Sequence, residues 1–590
     1  MKKKFLGVLA LAGVAVTGIT LASCGSESSN PNEVTKDIYG VNADGNVVKT
    51  GSFNLLFKEK SEIPYVNVEQ SVDLISELRS EVTGSKNCKY SIEKSGDNYV
   101  ISNERGAKCT IDPSKQTITY DDYDKFTSFI TESQDPLVSY TVKSTTKAIK
   151  EVSHNYTKGK TVTYDLNNYS ALDIYKENGC CYLPLSVFNT TLFNTNASVS
   201  FAYNGTNLFA LPGMGLSDEL MGQSALSKKF YEGASKSTIS EEYSKYNYQS
   251  VCFDFDCNYG LKSKFGTNKT FDEYLKKLGY NTGMSSTNPK EIDNYTSIAL
   301  SYLEDGHTAL SEASNMYPFG TISVDKTKVD PYLPALEEGK SNLKANKTKA
   351  NIKNGISYSG NTAFVTFDTF TVVNNDLLYG VEGLEEYKEV VQGEIDGSNT
   401  AVLFNKLYSD LTSNTYKDTI KNVVIDLTTN DGGEVDGLIY ALSTLIGNVS
   451  MDLANPMSGA ICNQVYKADM NADGKIDSSD KSLIELGFNI YFLDSKYSFS
   501  SANAMPVLAK INNSKVVTLG QNTGGGPCAV RTNVTPIGSV ISSSSLSVIS
   551  KLENGSYVNI DGGVAADYAL TESQMIDRDY IVSNIASWKK

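Results

Sequence analysis

The feature that most constrains the fold is an alternation of apolar strands and helices in the C-terminal part of the chain. The segments TAFVTFDTF, NVVIDLTTNDGG, FNIYFLD and KVVTLGQ have the apolar character of buried strands, whereas VDGLIYALSTLIG and ANAMPVLAKI have helical length and periodicity. Buried strands that alternate with helices favour a mainly parallel, layered sheet. We therefore predict an α/β core over residues 353–590, with functional groups at the carboxyl ends of its strands.

Two regions with different patterns precede this core. Residues 217–352 contain helical periodicity, as in TFDEYLKKLGY and DNYTSIALSYLEDG, followed by a polar connector. Residues 37–215 contain short alternating strands, turns and two helix-like runs. The chain is thus expected to consist of an N-terminal α+β non-catalytic domain, a helical subdomain with its connector, and the α/β core.

The N-terminus has the pattern of an export signal. Three lysines at positions 2–4 precede an apolar run over residues 5–22, and small residues before Cys24 suit a cleavage site. The segment Leu21-Ala22-Ser23-Cys24-Gly25 resembles the bacterial lipoprotein signal. This implies that residues 1–23 are removed, that Cys24 carries the lipid anchor and that residues 24–36 form a flexible tether. The alternative is a retained transmembrane helix.

Three turns at predicted strand ends carry residues suited to acyl transfer. In IDLTTNDGGEVDG the strand stops at Gly432 and Gly433, whose backbone could aim N–H groups at an oxyanion. In YFLDSKYSFSSANAMPVLAKI a serine stands at a helix start, where negative charge is favoured. In VVTLGQNTGGGPCAVRT a strand enters a glycine-rich stretch that lacks the lysine of a phosphate-binding loop. Each turn alone is also consistent with a plain turn, a helix N-cap or a loop.

Histidine is the scarcest candidate catalytic residue, because the chain has only two. His307 lies in Asp-Gly-His-Thr, directly after a helical run, whereas His154 lies in a polar stretch and is predicted to be a surface residue. A serine hydroxyl needs an adjacent base, and the ordinary pKa of histidine suits that role near neutral pH. His307 is therefore either a base or a structural histidine.

In this order and spacing, the segments resemble the C-terminal-processing (tail-specific) protease and tricorn family of serine peptidases, from roughly residue 217 to the C-terminus. FSSAN followed by GQNTGGGPCAV is especially similar to the bacterial lipoprotein members. The resemblance implies a ClpP/crotonase-like layered core and Ser500 as nucleophile, with Asn503 at a matching polar position and Ser501 as the alternative register. It also implies that amides of Ser501 and of Gly432 or Gly433 hold the oxyanion.

The base and the acid follow from the same resemblance. One branch of the family takes a lysine from the glycine-rich segment, but residues 522–526 contain none. The tricorn-like branch takes a histidine from the preceding helical region, often in Asp-Gly-His-Thr, which implies His307 as the base. An acid just before a closing Gly-Val segment supports the site through a hydroxyl. Asp561 is the nearest acid and Thr308 the implied hydroxyl, while Asp567 matches a structural position.

The segment DMNADGKIDSSD fits the twelve-residue calcium loop of the EF-hand and dockerin type, with Gly474 at its turn. The predicted ligands are five side chains and one backbone carbonyl, from Asp469, Asn471, Asp473, Asp477, Asp480 and Lys475 respectively. The last position of the loop has aspartate instead of glutamate. Its shorter side chain should weaken Ca²⁺ binding. We predict a structural Ca²⁺ that orders the approach to Ser500; the alternative is an acidic surface loop.

Together these observations predict a lipid-anchored serine endopeptidase on the extracellular face of the bacterial cytoplasmic membrane, acting on peptide or protein substrates without a catalytic cofactor. The net charge of −15 argues against a nucleic-acid partner, whose phosphates need lysine and arginine. The alternative is a catalytically inactive lipoprotein that uses the peptidase fold to bind peptides or polymers. In favour of the alternative, Thr428 stands where many relatives have arginine.

Overall fold

The computed structural model describes residues 33–41, 47–83, 89–127, 147–193, 199–212, 225–232, 236–318, 323–371, 373–379 and 398–589. The predicted signal peptide, Cys24 and residues 24–32 of the predicted tether lie outside the described residues, whereas residues 33–36 of that predicted tether belong to a β-strand. Within the described ranges, no helix has both the length and the apolar character that crossing a bilayer requires.

The strands are, in chain order, β1 (Glu33–Val41), β2 (Val47–Phe57), β3 (Pro64–Asn67), β4 (Tyr90–Ser95), β5 (Asn98–Asn103), β6 (Lys108–Asp112), β7 (Thr117–Tyr120), β8 (Ile149–Thr157), β9 (Val162–Asp165), β10 (Tyr175–Glu177), β11 (Cys180–Pro184), β12 (Val199–Tyr203), β13 (Leu208–Pro212), β14 (Ala309–Glu312), β15 (Gly355–Ser359), β16 (Thr362–Thr366), β17 (Asn422–Asp426), β18 (Val449–Ala454), β19 (Ile461–Ala468), β20 (Asn489–Asp494), β21 (Val517–Gly520), β22 (Cys528–Val534), β23 (Val540–Glu553), β24 (Ser556–Asn559) and β25 (Tyr568–Ala569).

The α-helices are, in chain order, α1 (Val68–Thr83), α2 (Tyr123–Thr127), α3 (Leu185–Phe188), α4 (Ala225–Phe230), α5 (Glu241–Asn258), α6 (Phe271–Leu278), α7 (Asn281–Met284), α8 (Pro289–Ser301), α9 (Tyr332–Lys349), α10 (Asn375–Tyr379), α11 (Thr400–Thr412), α12 (Val435–Ile446), α13 (Ser501–Asn512), α14 (Glu572–Met575) and α15 (Arg578–Asn584).

The C-terminal region contains the parallel sheet that the sequence predicts. Its strand order is β15-β16-β17-β20-β21-β25, and every neighbouring pair is parallel except β15 with β16. The strands are apolar throughout because both faces are covered. In β17, Val423 and Ile425 pack into the core shared with α11, α12 and α13, whereas Val424 packs with Ile581 of α15 on the other face. The prediction of an α/β core is confirmed.

A second, antiparallel sheet packs behind this core and was not predicted. Its path is β14-β23-β18-β19-β8, and β22 and β24 also pair with β23. The edge strand β8 comes from the region predicted as the N-terminal domain and pairs along its length with β19. The α/β core and the preceding region therefore share one sheet.

The rest of the N-terminal region forms two further sheets. One has the order β10-β11-β3-β2-β1-β13-β12, and the other is the antiparallel sheet β4-β5-β6-β7-β9. A large cluster of aromatic and aliphatic side chains joins these sheets to α5. α5 begins with an N-cap at Ser240, whose hydroxyl accepts a hydrogen bond from the backbone N–H of Tyr243.

Asp494 is a buried carboxyl group at the end of β20. It is 1% exposed, and neither of its carboxyl oxygens has a hydrogen-bond partner within the part of the chain described. Burial raises the pKa of Asp494 well above the ordinary value, with Lys510 lowering it and Asp426 raising it further. The folded protein therefore holds this carboxyl group in its neutral form.

The raised pKa of Asp494 predicts a pH-dependent cost in stability. Below about pH 4 the group is protonated in both the folded and unfolded states. Above that pH the unfolded state loses the proton, so the free energy of unfolding falls by about 1.4 kcal/mol per pH unit until the folded group ionises. We expect Asp494→Asn to raise the melting temperature at pH 8 and to change it little at pH 4. An equal shift at both pH values in thermal unfolding would contradict this assignment.

Candidate active site

Three neighbouring parallel strands bring the three predicted turns together. Strands β17, β20 and β21 lie side by side, and each is followed at its carboxyl end by one of the turns. Backbone hydrogen bonds then join the turns. The N–H of Phe499 donates to the carbonyl of Asn430 at 3.2 Å, and that of Ser500 donates to Gly525 at 2.8 Å. The segments that were separate in sequence thus form one site.

Ser500 stands at the entrance to α13 in a strained backbone conformation. Its φ is 57° and its ψ is −123°, in a region that residues other than glycine rarely adopt. Its hydroxyl makes no hydrogen bond to the helix N-terminus, so the residue does not act as an ordinary N-cap. A partly exposed serine on a strained strand-to-helix turn is the arrangement that exposes the hydroxyl in a nucleophile elbow.

The neighbouring Ser501 differs from Ser500 in burial and in hydrogen bonding. It is 3% exposed, and its hydroxyl donates to the carbonyl of Gly433 at 2.7 Å. This hydroxyl is already used to hold the glycine turn against α13. The geometry therefore favours Ser500 over Ser501 as the reacting residue.

Gly432 and Gly433 lie directly against the serine, but their amides differ. A β-carbon on Gly432 would lie 2.5 Å from the Cβ of Ser500, so only glycine fits there. The N–H of Gly432 donates to the Asn430 side chain at 2.8 Å and is engaged. Among described residues, the N–H groups of Gly433 and Ser501 have no acceptor. Of the predicted oxyanion donors, these two are available, and Gly432 provides space instead.

His307 lies just before a short edge strand that fixes its position. The residues that follow it form β14, in which Ala309 pairs with Ser542 of β23. The imidazole packs on the ring of Phe499, the residue before Ser500, with centroids 4.7 Å apart and an angle of 59° between the planes. Gly306 permits this contact, since a β-carbon there would lie 2.9 Å from the same ring. The predicted base therefore lies beside the segment that carries the predicted nucleophile.

The imidazole of His307 makes no hydrogen bond to any described residue, and its Nδ1 is buried. The contact between this ring and the Ser500 hydroxyl that proton transfer requires is thus not formed in this structure. Burial lowers the pKa of His307, while the charges of Asp305 and Asp561 raise it. The net effect keeps the ring neutral, which is the form that a general base needs.

Asp305 is the residue of this site that sequence reasoning missed. It is 2% exposed and accepts hydrogen bonds from the backbone N–H of His307 at 3.1 Å and from the hydroxyls of Thr308 and Tyr259 at 2.6 and 3.0 Å. The hydroxyl of Thr308 therefore donates to Asp305 and not to Asp561, which corrects the predicted pairing. Its position two residues before His307 was the available signal, because aspartate often accepts backbone N–H groups at that spacing.

Asp561 lies at the glycine-rich turn. Its carboxylate accepts the N–H of Gly526 at 3.1 Å and lies 3.4 Å from the ammonium group of Lys264. Asn503 holds the segment before it in place, since the Asn503 side chain donates to the carbonyl of Ile560 at 3.1 Å and accepts the hydroxyl of Thr523 at 2.7 Å. Asp561 therefore acts on His307 through its charge and makes no hydrogen bond to it.

The predicted calcium loop takes the expected path without gathering its ligands. The backbone N–H of Gly474 donates to the carboxylate of Asp469 at 2.8 Å, and Gly474 has a φ of 85°. Asp480 accepts the backbone N–H groups of Met470 and Asp477 at 2.8 and 2.9 Å. Throughout the described ranges, no group of three or more histidine, cysteine or acidic side chains lies close enough to hold a metal ion. The calcium site stays a prediction.

Comparisons with known proteins give a family for the core. The sequence model of peptidase family S41 matches residues 386–570. None of the curated proteins matches the chain.

Several solved structures are similar to the chain at low identity. The photosystem II D1 C-terminal processing protease is 16% identical with a TM-score of 0.26, over 38% of this chain and 46% of that one. A lipoprotein from Streptococcus agalactiae is 14% identical with a TM-score of 0.32, over 59% and 95%. Mature CPAF complexed with lactacystin is 17% identical with a TM-score of 0.25, over 40% and 52%. The chain thus spans less than half the length of the processing protease.

The family match covers the turns that contain Gly432, Ser500 and the glycine-rich segment, and it includes Asp561, whereas His307 lies ahead of it. The segments from which the sequence suggested this family are thus the ones that the family model recognises. Residues 386–570 of this protein therefore resemble peptidase family S41, whose model matches them.

Proposed function

We propose that this protein is a lipid-anchored extracellular serine endopeptidase with Ser500 as nucleophile and His307 as base. The observation that carries the proposal is the conformation of Ser500 on a strained turn next to Gly433 and Ser501. Its hydroxyl and the N–H groups of those two residues make no hydrogen bond within the described residues. Membership of the core in peptidase family S41 supports peptide hydrolysis. The lipid anchor on Cys24 rests on the sequence pattern alone.

The reaction begins when His307 removes the proton from the Ser500 hydroxyl and the oxygen attacks a peptide carbonyl. The N–H groups of Gly433 and Ser501 donate to the resulting oxyanion, and removal of one such donor typically costs on the order of 10²–10³ in rate. His307 then gives its proton to the departing amine, leaving an ester on Ser500. Water activated by His307 hydrolyses this ester.

The mechanism requires the imidazole to move onto the serine when substrate binds. Catalytic hydrogen bonds are often long or unformed in free enzymes and form in the substrate complex. The contact between the His307 and Phe499 rings is the interaction that would reorganise. Asp305 would hold the backbone of the histidine during this movement, because it accepts the N–H of His307.

A non-catalytic peptide-binding protein is the second candidate. The absence of any hydrogen bond from the imidazole of His307 to a described residue favours it, because a working triad needs an oriented base. The two candidates differ in whether Ser500 reacts with an electrophile.

Covalent labelling with a fluorophosphonate separates the two candidates. We expect the wild-type protein to be labelled, Ser500→Ala to lose the label, and Ser501→Ala to keep it. Ser501 is the matched control because it is the adjacent serine with a committed hydroxyl. A wild-type protein that is folded but takes no label would favour the binding protein.

The lowered pKa of His307 predicts activity at mildly acidic pH. The base works only when deprotonated, so lowering its pKa below the ordinary 6.5 shifts the acid limb of the pH profile to lower pH. As the pH is lowered, we expect kcat/KM to reach half of its plateau value at a pH below 6.5. His154→Asn is the control, since this histidine lies on β8 against Glu151 and should leave the profile unchanged. An acid limb centred at or above pH 6.5 would exclude His307 as the titrating base.

We also propose that Ca²⁺ binds the loop at residues 469–480 and stabilises the fold. The support is the sequence pattern together with the hydrogen bond from the N–H of Gly474 to Asp469. Binding to the folded state alone stabilises it by about 2.7 kcal/mol at a concentration 100-fold above Kd. We expect millimolar CaCl₂ to raise the melting temperature of the wild-type protein relative to EDTA, and not that of Asp473→Ala. Equal melting temperatures with CaCl₂ and EDTA would contradict the proposal that Ca²⁺ binds this loop.

A further inference from the structure

A lysine from the connector helix α9 is buried beneath the glycine turn of the site. The side chain of Lys347 is 7% exposed, and its ammonium group lies 3.2 Å from the carboxylate of Asp426 at the end of β17. Arg578 of α15 lies on the other oxygen of that carboxylate at 2.6 Å. Burial alone would raise the pKa of Asp426, but the two cations lower it well below the ordinary value, so the carboxylate is charged.

Lys347 also binds the turn itself. Its ammonium group donates to the hydroxyls of Thr428 and Thr429 at 3.2 and 3.3 Å. Thr428 donates in turn to Asp426 at 2.6 Å, and Thr429 donates to Asp368 at 2.9 Å. A single buried cation therefore fixes the first two residues that follow Leu427.

The backbone continues from these two residues into Asn430, whose hydrogen bonds lead to the groups proposed to react. Asn430 follows Thr429, and its side chain accepts the N–H of Gly432 while its carbonyl accepts the N–H of Phe499. Asn430 thus contacts both the glycine turn and the segment that enters Ser500, and the turn is also held by Phe370, whose N–H donates to the carbonyl of Gly432 at 2.7 Å. A shift of the turn at Thr428 or Thr429 would therefore displace the oxyanion donor relative to the nucleophile.

Helix α9 contacts the core through few buried residues and several ion pairs. Of its eighteen residues, only Leu343 and Lys347 are buried. Lys340 and Lys344 lie on the same face as Lys347, at helical spacing, and pair with Asp431 at 2.7 Å and Asp368 at 3.5 Å. Lys344 is 40% exposed, so it offers a matched comparison on the same helix for the buried lysine.

We propose that Lys347 is a positioning residue for the proposed peptidase reaction, setting through Thr428 and Thr429 the glycine turn that holds the oxyanion. This inference rests on the proposed function. It predicts that loss of Lys347 lowers the rate of the chemical step and leaves substrate binding nearly unchanged, because Lys347 is buried and its contacts are to Asp426 and to the turn residues.

The test compares Lys347→Met with Lys344→Met in the full chain, using a peptide substrate and fluorophosphonate labelling. We expect Lys347→Met to lower kcat and the labelling rate by about 10²-fold, the scale of one lost oxyanion donor, with KM changed less than threefold. Lys344→Met should stay within about threefold of the wild type in both constants. Equal losses in the two variants, or a loss in KM alone, would overturn the proposal.

A second variant keeps the proposal testable if Lys347→Met does not fold. Thr428→Val removes the hydroxyl that Lys347 contacts while keeping the side-chain shape. We expect it to lower kcat at least about tenfold at unchanged KM, and an unchanged kcat would overturn the proposal. Failure of the wild type to take the label would mean that the proposed function is wrong, and this inference would fall with it. A labelled wild type with an unaffected Thr428→Val would refute the positioning role alone.

Discussion

The parallel pairing of β17, β20 and β21 is the constraint on which the site depends. These strands are far apart in sequence, yet their carboxyl ends meet at one edge because all three run in the same direction. The turn after each strand then contributes a different part: the glycine amides, the serine and the glycine-rich support. Apolar side chains on both faces hold the strands in register, so the position of Ser500 and of the glycine turns derives from core packing.

Ion pairs and hydrogen bonds to buried carboxylates hold the two turns of the site, the one after β17 and the one that carries His307. Asp426 is buried between Lys347 and Arg578, and Asp305 is buried beneath the turn that carries His307. Each carboxylate accepts hydrogen bonds from several groups, which offsets the cost of removing it from water. Asp494 lies on the same sheet with no partner among the described residues, and there the raised pKa makes the carboxyl group neutral instead.

The region ahead of the peptidase core takes part in its architecture. Strand β8 forms an edge of the antiparallel sheet that also contains β18, β19 and β23. Strand β14, which follows His307, lies at the opposite end of the same path. Because His307 directly precedes a strand of this sheet, the region before the core contributes to the surface that positions His307.

The sequence by itself determined the elements and the residue types of the site. Apolar runs predicted β17, β20 and β21, and glycines and serines marked the turns, because local periodicity and backbone freedom depend on neighbouring residues alone. Only the tertiary structure decided which of these groups are engaged in hydrogen bonds. That Ser501 donates its hydroxyl to Gly433, that the amide of Gly432 is engaged, and that Lys347 lies buried beneath the turn all depend on contacts between segments distant in the chain. Those contacts follow from strand register and helix packing, which no local pattern encodes.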